Sequence, residues 1–81
     1  MKVRLLFFAV LRDIAGADER ELALADGTTA REVWTSLRNE FPKLAGYDAP
    51  PMVAINEEYA EPGTPLRDGD ELAFIPPVAG G

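Results

Sequence analysis

The side chains that most often do chemistry are absent from this chain of 81 residues: it has no Cys and no His. That excludes a disulfide framework, thiolate or imidazole metal sites, and Cys–His or Ser–His nucleophilic pairs. Ser36 falls within a helical stretch and has no His to activate it. The fourteen Asp and Glu stand without a nucleophile motif and read as solvated surface. What remains is the main-chain end. The sequence closes on Pro76-Pro77-Val78-Ala79-Gly80-Gly81, uncharged except for the terminal carboxylate. The prolines project this segment away from the body, and six extended residues reach roughly 20 Å. Two glycines add almost no width, so the carboxylate can thread a narrow enzyme channel. A carboxylate is a poor acyl donor. Attack on the α-phosphate of ATP would convert it to an acyl-adenylate, a good one, and a sulfur nucleophile could then give a terminal thiocarboxylate. Each step needs a partner's catalytic residues, which fits their absence here.

Such a tail needs a body. Residues 3–10, Val-Arg-Leu-Leu-Phe-Phe-Ala-Val, read as a strand apolar enough for the middle of a sheet. Residues 11–18 contain Gly16 and read as a loop with a short helical turn. Residues 19–25 read as a second strand, with Leu22 and Leu24 on one face, and Asp26-Gly27 turns the chain. Residues 29–41 carry the strongest helix signal. Thr29 and Glu32 form a capping box, and Ala30, Val33, Trp34, Leu37 and Phe41 make an amphipathic stripe. That stripe assigns Trp34 to the core rather than to a ligand platform. Pro42 helps to end the helix. A strand at Met52–Asn56, a weak strand near Tyr59 and a last strand at Glu71–Ile75 follow, separated by Pro62-Gly63 and the turn Arg67-Asp68-Gly69-Asp70. The order predicts an α+β fold of the β-grasp (ubiquitin-like) kind. It is a mixed sheet of about five strands with one main helix on one face, as residues 1–75, followed by a flexible tail, 76–81. A ferredoxin-like fold needs a second full helix, for which 42–51 is too short and too rich in Pro and Gly.

Charge narrows the partners. The net charge is −6, and residues 52–81 hold six acidic residues against one basic. An acidic chain of this kind is a poor nucleic-acid binder, and it lacks the basic patch that attracts anionic membranes. A basic protein groove suits the acidic last third. No segment has the pattern of a signal peptide or the length of a membrane span, and the lack of Cys fits a reducing cytoplasm.

With one helix on one face, alternation assigns sides. Val3, Leu5, Phe7, Leu72 and Phe74 face the helix, while Arg4, Leu6, Phe8, Ala73 and Ile75 face away. Phe8 and Ile75, joined by Tyr59, then form an uncovered apolar patch rimmed by acidic residues, the mark of a protein interaction site.

The block Asp68-Gly69-Asp70-Glu71, continuing through Pro76-Pro77-Val78 to Gly80-Gly81, with Leu6-Phe7-Phe8-Ala9, Arg12 and Gly16 near the start, resembles the small subunits of molybdopterin synthase. These are ubiquitin-like sulfur carriers. The resemblance covers nearly the whole chain. It implies that an ATP-dependent activating enzyme adenylates Gly81 and that sulfur is installed there as a thiocarboxylate. Pro76, Pro77, Val78, Ala79 and Gly80 would insert into a large synthase subunit, where sulfur passes to cyclic pyranopterin monophosphate. It implies a synthase of two small and two large subunits, with catalytic residues in the large ones. No cofactor would be bound by the small subunit itself, and ATP would be used by the activating enzyme. Phe8, Tyr59 and Ile75 match positions of the family's hydrophobic contact surface. The competing readings are a sulfur carrier for thiamine or cysteine synthesis, a ubiquitin-like protein modifier, and a binding domain with an inert tail. The Pro-Pro-Val spacer favours the molybdenum cofactor branch. Lys2 and Lys43 are the sole lysines, which disfavours polymeric conjugates.

Overall fold

The computed structural model describes residues 1–46 and 52–75. Strand β1 (Lys2–Phe7) leads to helix α1 (Ala9–Ala15), strand β2 (Glu19–Ala23) and helix α2 (Ala30–Glu40). A 3₁₀ turn at Pro42–Gly46 follows, then β3 (Met52–Ile55), β4 (Glu58–Ala60) and β5 (Glu71–Ile75). The sheet runs β2-β1-β5-β3-β4. The two apolar strands, β1 and β5, are parallel neighbours at its centre, and the other pairings are antiparallel. This mixed five-stranded sheet under one long helix is the β-grasp arrangement.

α2 starts where its capping box requires. The Thr29 hydroxyl accepts from the Glu32 backbone N–H at 3.2 Å, and the Thr29 N–H donates to the Glu32 carboxylate at 3.3 Å. Two N–H groups that no helical turn can satisfy are thereby paired. The buried stripe Ala30, Val33, Trp34 and Leu37 then meets Val3, Leu5, Phe7, Val53, Leu72 and Phe74 from the sheet. The Trp34 and Phe74 rings lie 5.1 Å apart at 55°. At about 1.5–3 kcal/mol for each large apolar side chain buried, this layer dominates the stability. At the sheet's β2 edge, Arg20 donates to Glu40 at 2.8 Å and lies over the Phe7 and Phe41 rings, tying the end of α2 to β2.

The turn before β5 sets the central register. Gly69 has φ +86°, a left-handed conformation that side chains disfavour. Its N–H donates to the Lys2 carbonyl at 2.7 Å, while the Asp68 carboxylate accepts from the Lys2 N–H, also at 2.7 Å. The chain is clipped to the start of β1, so β5 runs parallel to it with Leu5 beside Leu72 and Phe7 beside Phe74.

One element differs from the sequence expectation. β1 stops at Phe7 instead of continuing to residue 10, and residues 9–15 form a seven-residue helix rather than a loop with one turn. Gly16, at φ +73°, closes it with an N–H to the Arg12 carbonyl. The reason is burial: Leu11, packed in the core, and Ile14, partly buried against it, are spaced for one helical face. The apolar run from Leu5 to Leu11 hid that change of period.

Candidate functional site

The face of the sheet opposite α2 is shaped by two alanines. Ala54 of β3 and Ala73 of β5 are register partners, and Ala73 also lies beside Leu6 of β1. Small side chains in the middle, with large ones around them, leave a hollow of about 290 Å³. Leu6, Phe8, Tyr59 and Ile75 supply its apolar walls. Phe8 has left the strand, but its backbone is still extended (φ −120°, ψ 151°), so the alternation runs one residue further and turns its ring to this side. Tyr59 reaches the face because β4 pairs it with Ala54.

The three patch residues named from the sequence therefore line one hollow. Phe8 is 47% exposed, Tyr59 76%, and Ile75 is half-buried. Sequence reasoning left out Met52, which is 57% exposed and stands opposite Ile75 in the β3–β5 pair. Its side depends on the register against β5, a non-local property. Leu6 and Ala73 were assigned to this face by alternation but not to the site. The other residues named for function, Pro76, Pro77, Val78, Ala79, Gly80 and Gly81, lie outside the described residues. β5, from which they continue, ends at Ile75 beside Phe8 in the same hollow.

The opposite end of the hollow is charged. Glu57 and Glu71 line it there. Glu71 pairs with Arg4, its register partner on β1, and the hydrogen bond together with the charge of Glu71 holds the Arg4 guanidinium above its usual pKa. Among the described residues, no group of three or more Asp and Glu converges to hold a metal ion, and no helix is long and apolar enough to cross a membrane.

Comparison with known proteins places this geometry. The model of the ThiS family matches residues 5–81. The chain belongs to the ThiS family. Among its relatives, the molybdopterin synthase sulfur carrier subunit of Escherichia coli strain K12 is 37% identical over 98% of this chain and 99% of its own length. The protein of the same name from Chlamydomonas reinhardtii is 35% identical, with both chains covered in full. Of the solved structures, SAMP1 from Haloferax volcanii superposes with a TM-score of 0.80 at 29% identity over the whole of both chains. A chain of the protein–protein complex of subunits 1 and 2 of molybdopterin-converting factor from Helicobacter pylori 26695 superposes at 0.67 with 26% identity, again with both chains covered in full. The sheet and helices of the described residues therefore carry the β-grasp fold of these neighbours.

Proposed function

We propose that this ThiS-family chain is the sulfur carrier subunit of molybdopterin synthase, with sulfur carried on Gly81. The observation that supports it is the full-length similarity to subunits of that name, which runs through Gly80-Gly81.

In this reading the Gly81 carboxylate attacks the α-phosphorus of ATP on a separate activating enzyme, and pyrophosphate leaves. A sulfide-equivalent nucleophile then displaces AMP and leaves a thiocarboxylate. The carrier moves to a large subunit, whose residues perform the transfer to cyclic pyranopterin monophosphate, in the cytoplasm. The carrier binds no cofactor of its own and uses neither nucleic acid nor membrane. Its contribution is positional. The hollow bounded by Phe8, Tyr59 and Ile75 seats the large subunit, and the tail begins beside that contact, so docking and insertion of Pro76–Gly81 are one event. The relative from Helicobacter pylori, solved as a complex of subunits 1 and 2, supports a large-subunit partner.

The test is intact-mass spectrometry of the chain after incubation with an activating enzyme, ATP and a sulfur donor. The expected product is heavier by the difference between one sulfur and one oxygen atom, and a chain lacking Gly80-Gly81 keeps its fold and gains nothing. An unchanged mass in the full chain, under conditions that charge a known carrier, overturns the reading.

A further inference from the structure

The connection between β3 and β4 is a two-residue turn, Asn56-Glu57, with both residues at positive φ, +53° and +70°. These are the φ signs of a type I′ hairpin turn, where Asn suits the first position and Gly the second. Asn56 is tied down. Its side chain donates to Asp70 at 2.9 Å and accepts from the Glu71 N–H at 3.0 Å, and its own N–H donates to the Glu71 carbonyl at 2.8 Å. Glu57 has no such support. It is exposed, its carboxylate makes no ion pair or hydrogen bond among the described residues, and its Cβ strains the left-handed backbone. A residue held where glycine is preferred, with nothing in its own fold to repay it, points to a role outside the fold.

Its position suggests the role. Glu57 lines the hollow at the end away from Ile75, where the tail begins. Glu71 lines the same end, but Arg4 neutralises it, which leaves Glu57 as the uncompensated charge of that rim. Apolar contact at Phe8, Tyr59 and Ile75 is non-directional, so it discriminates the angle of the docked carrier less sharply than a charge pair does. A charge at the far end of the hollow supplies that discrimination. We propose that Glu57 is an orientation-determining residue, which pairs with a Lys or Arg of the docked large subunit and sets the angle at which the tail enters. The proposal rests on the docking reading above.

The strained turn gives this proposal a distinctive signature. Replacement by glycine relieves the backbone and removes the charge, so stability and affinity move in opposite directions. For Glu57→Gly, we expect the melting temperature of the free chain to rise by about 2–5 °C. Its affinity for the large subunit of molybdopterin synthase, by calorimetric titration, is expected to fall about fivefold. For Glu57→Lys, the backbone strain is retained and the charge reversed. Affinity is expected to fall about tenfold or more, chiefly through slower association at low salt. Unchanged affinity and salt dependence in Glu57→Lys overturn the proposal, as does a lower melting temperature in Glu57→Gly. Phe8→Asp, titrated in parallel, separates the two levels. If Phe8→Asp abolishes binding and Glu57→Lys does not alter it, the orientation role fails alone. If neither alters binding, the docking reading fails with it.

Discussion

The two faces of the sheet come from the same strands, alternate residue by alternate residue, and differ in what meets them. On one face Val3, Leu5, Phe7, Leu72 and Phe74 are closed over by α2, and every one of them is buried. On the other, Leu6, Phe8, Ala54, Ala73 and Ile75 line a hollow, with Tyr59 and Met52 largely exposed around it. The covered face is filled with large side chains that interlock with Trp34. The open face has alanines at its centre, so it is concave where a core would be full. The first face supplies the energy that holds the fold. In the proposed function, the second offers its apolar surface to the large subunit and carries the start of the tail at its edge. One strand pattern thus does two jobs, and each face answers to a different measurement.

The largest expected effect lies on the covered face. Phe74→Ala removes the ring packed on Trp34 at the centre of the sheet, and the cavity left behind costs about 3–5 kcal/mol. Urea denaturation reads this directly. A cost below about 1 kcal/mol would mean that Phe74 is not part of the core that separates the two faces.

A smaller effect lies at the edge of the covered face, where Arg20 holds Glu40. The hydrogen bond from Arg20 lowers the Glu40 pKa below its ordinary value of 4.5, and the same contact raises that of Arg20. A carboxyl group whose folded pKa is depressed binds protons less readily in the folded state. Its contribution is therefore present above pH 4.5 and is lost as the pH falls through the lower folded value. Glu40→Gln is expected to melt slightly below the unsubstituted chain at neutral pH, and the two curves should converge in acid. A melting difference that is independent of pH would remove this pair from the acid response. Binding to the large subunit should be indifferent to it, because the pair lies on the helix-covered side.

Much of this architecture was legible from local pattern. The capping box at Thr29 and Glu32, the helical stripe from Ala30 to Leu37 and the strict alternation in β1 and β5 each rest on neighbours in sequence, so they could be read without the fold. Phe8 and Ile75 follow in the same way, by carrying that alternation onto an uncovered side, and Tyr59 joins them through the family resemblance. α1 is not legible, because the run from Phe7 to Leu11 is apolar at every position and gives no period to choose between strand and helix. Met52 was missed because its face follows from pairing with Ile75, a partner far along the chain. No motif or period in the sequence singles out Glu57. Its importance lies in a dihedral angle and in its place beside a hollow built by three strands, neither of which a linear pattern contains.

The central claim is that one face folds the chain and the other docks it, and Phe8→Asp tests this most directly when a thermal melt and a titration against the large subunit of molybdopterin synthase are made on the same sample. Phe8 is half-exposed in the free chain, so a charge there should leave the melting temperature within about 2 °C of the unsubstituted value. Affinity is expected to fall at least about tenfold, because the carboxylate would be buried unpaired at the contact, and Ile75→Lys should behave alike. Unchanged affinity in both variants, or a loss of binding that merely follows a loss of folding, would contradict the division of labour between the two faces.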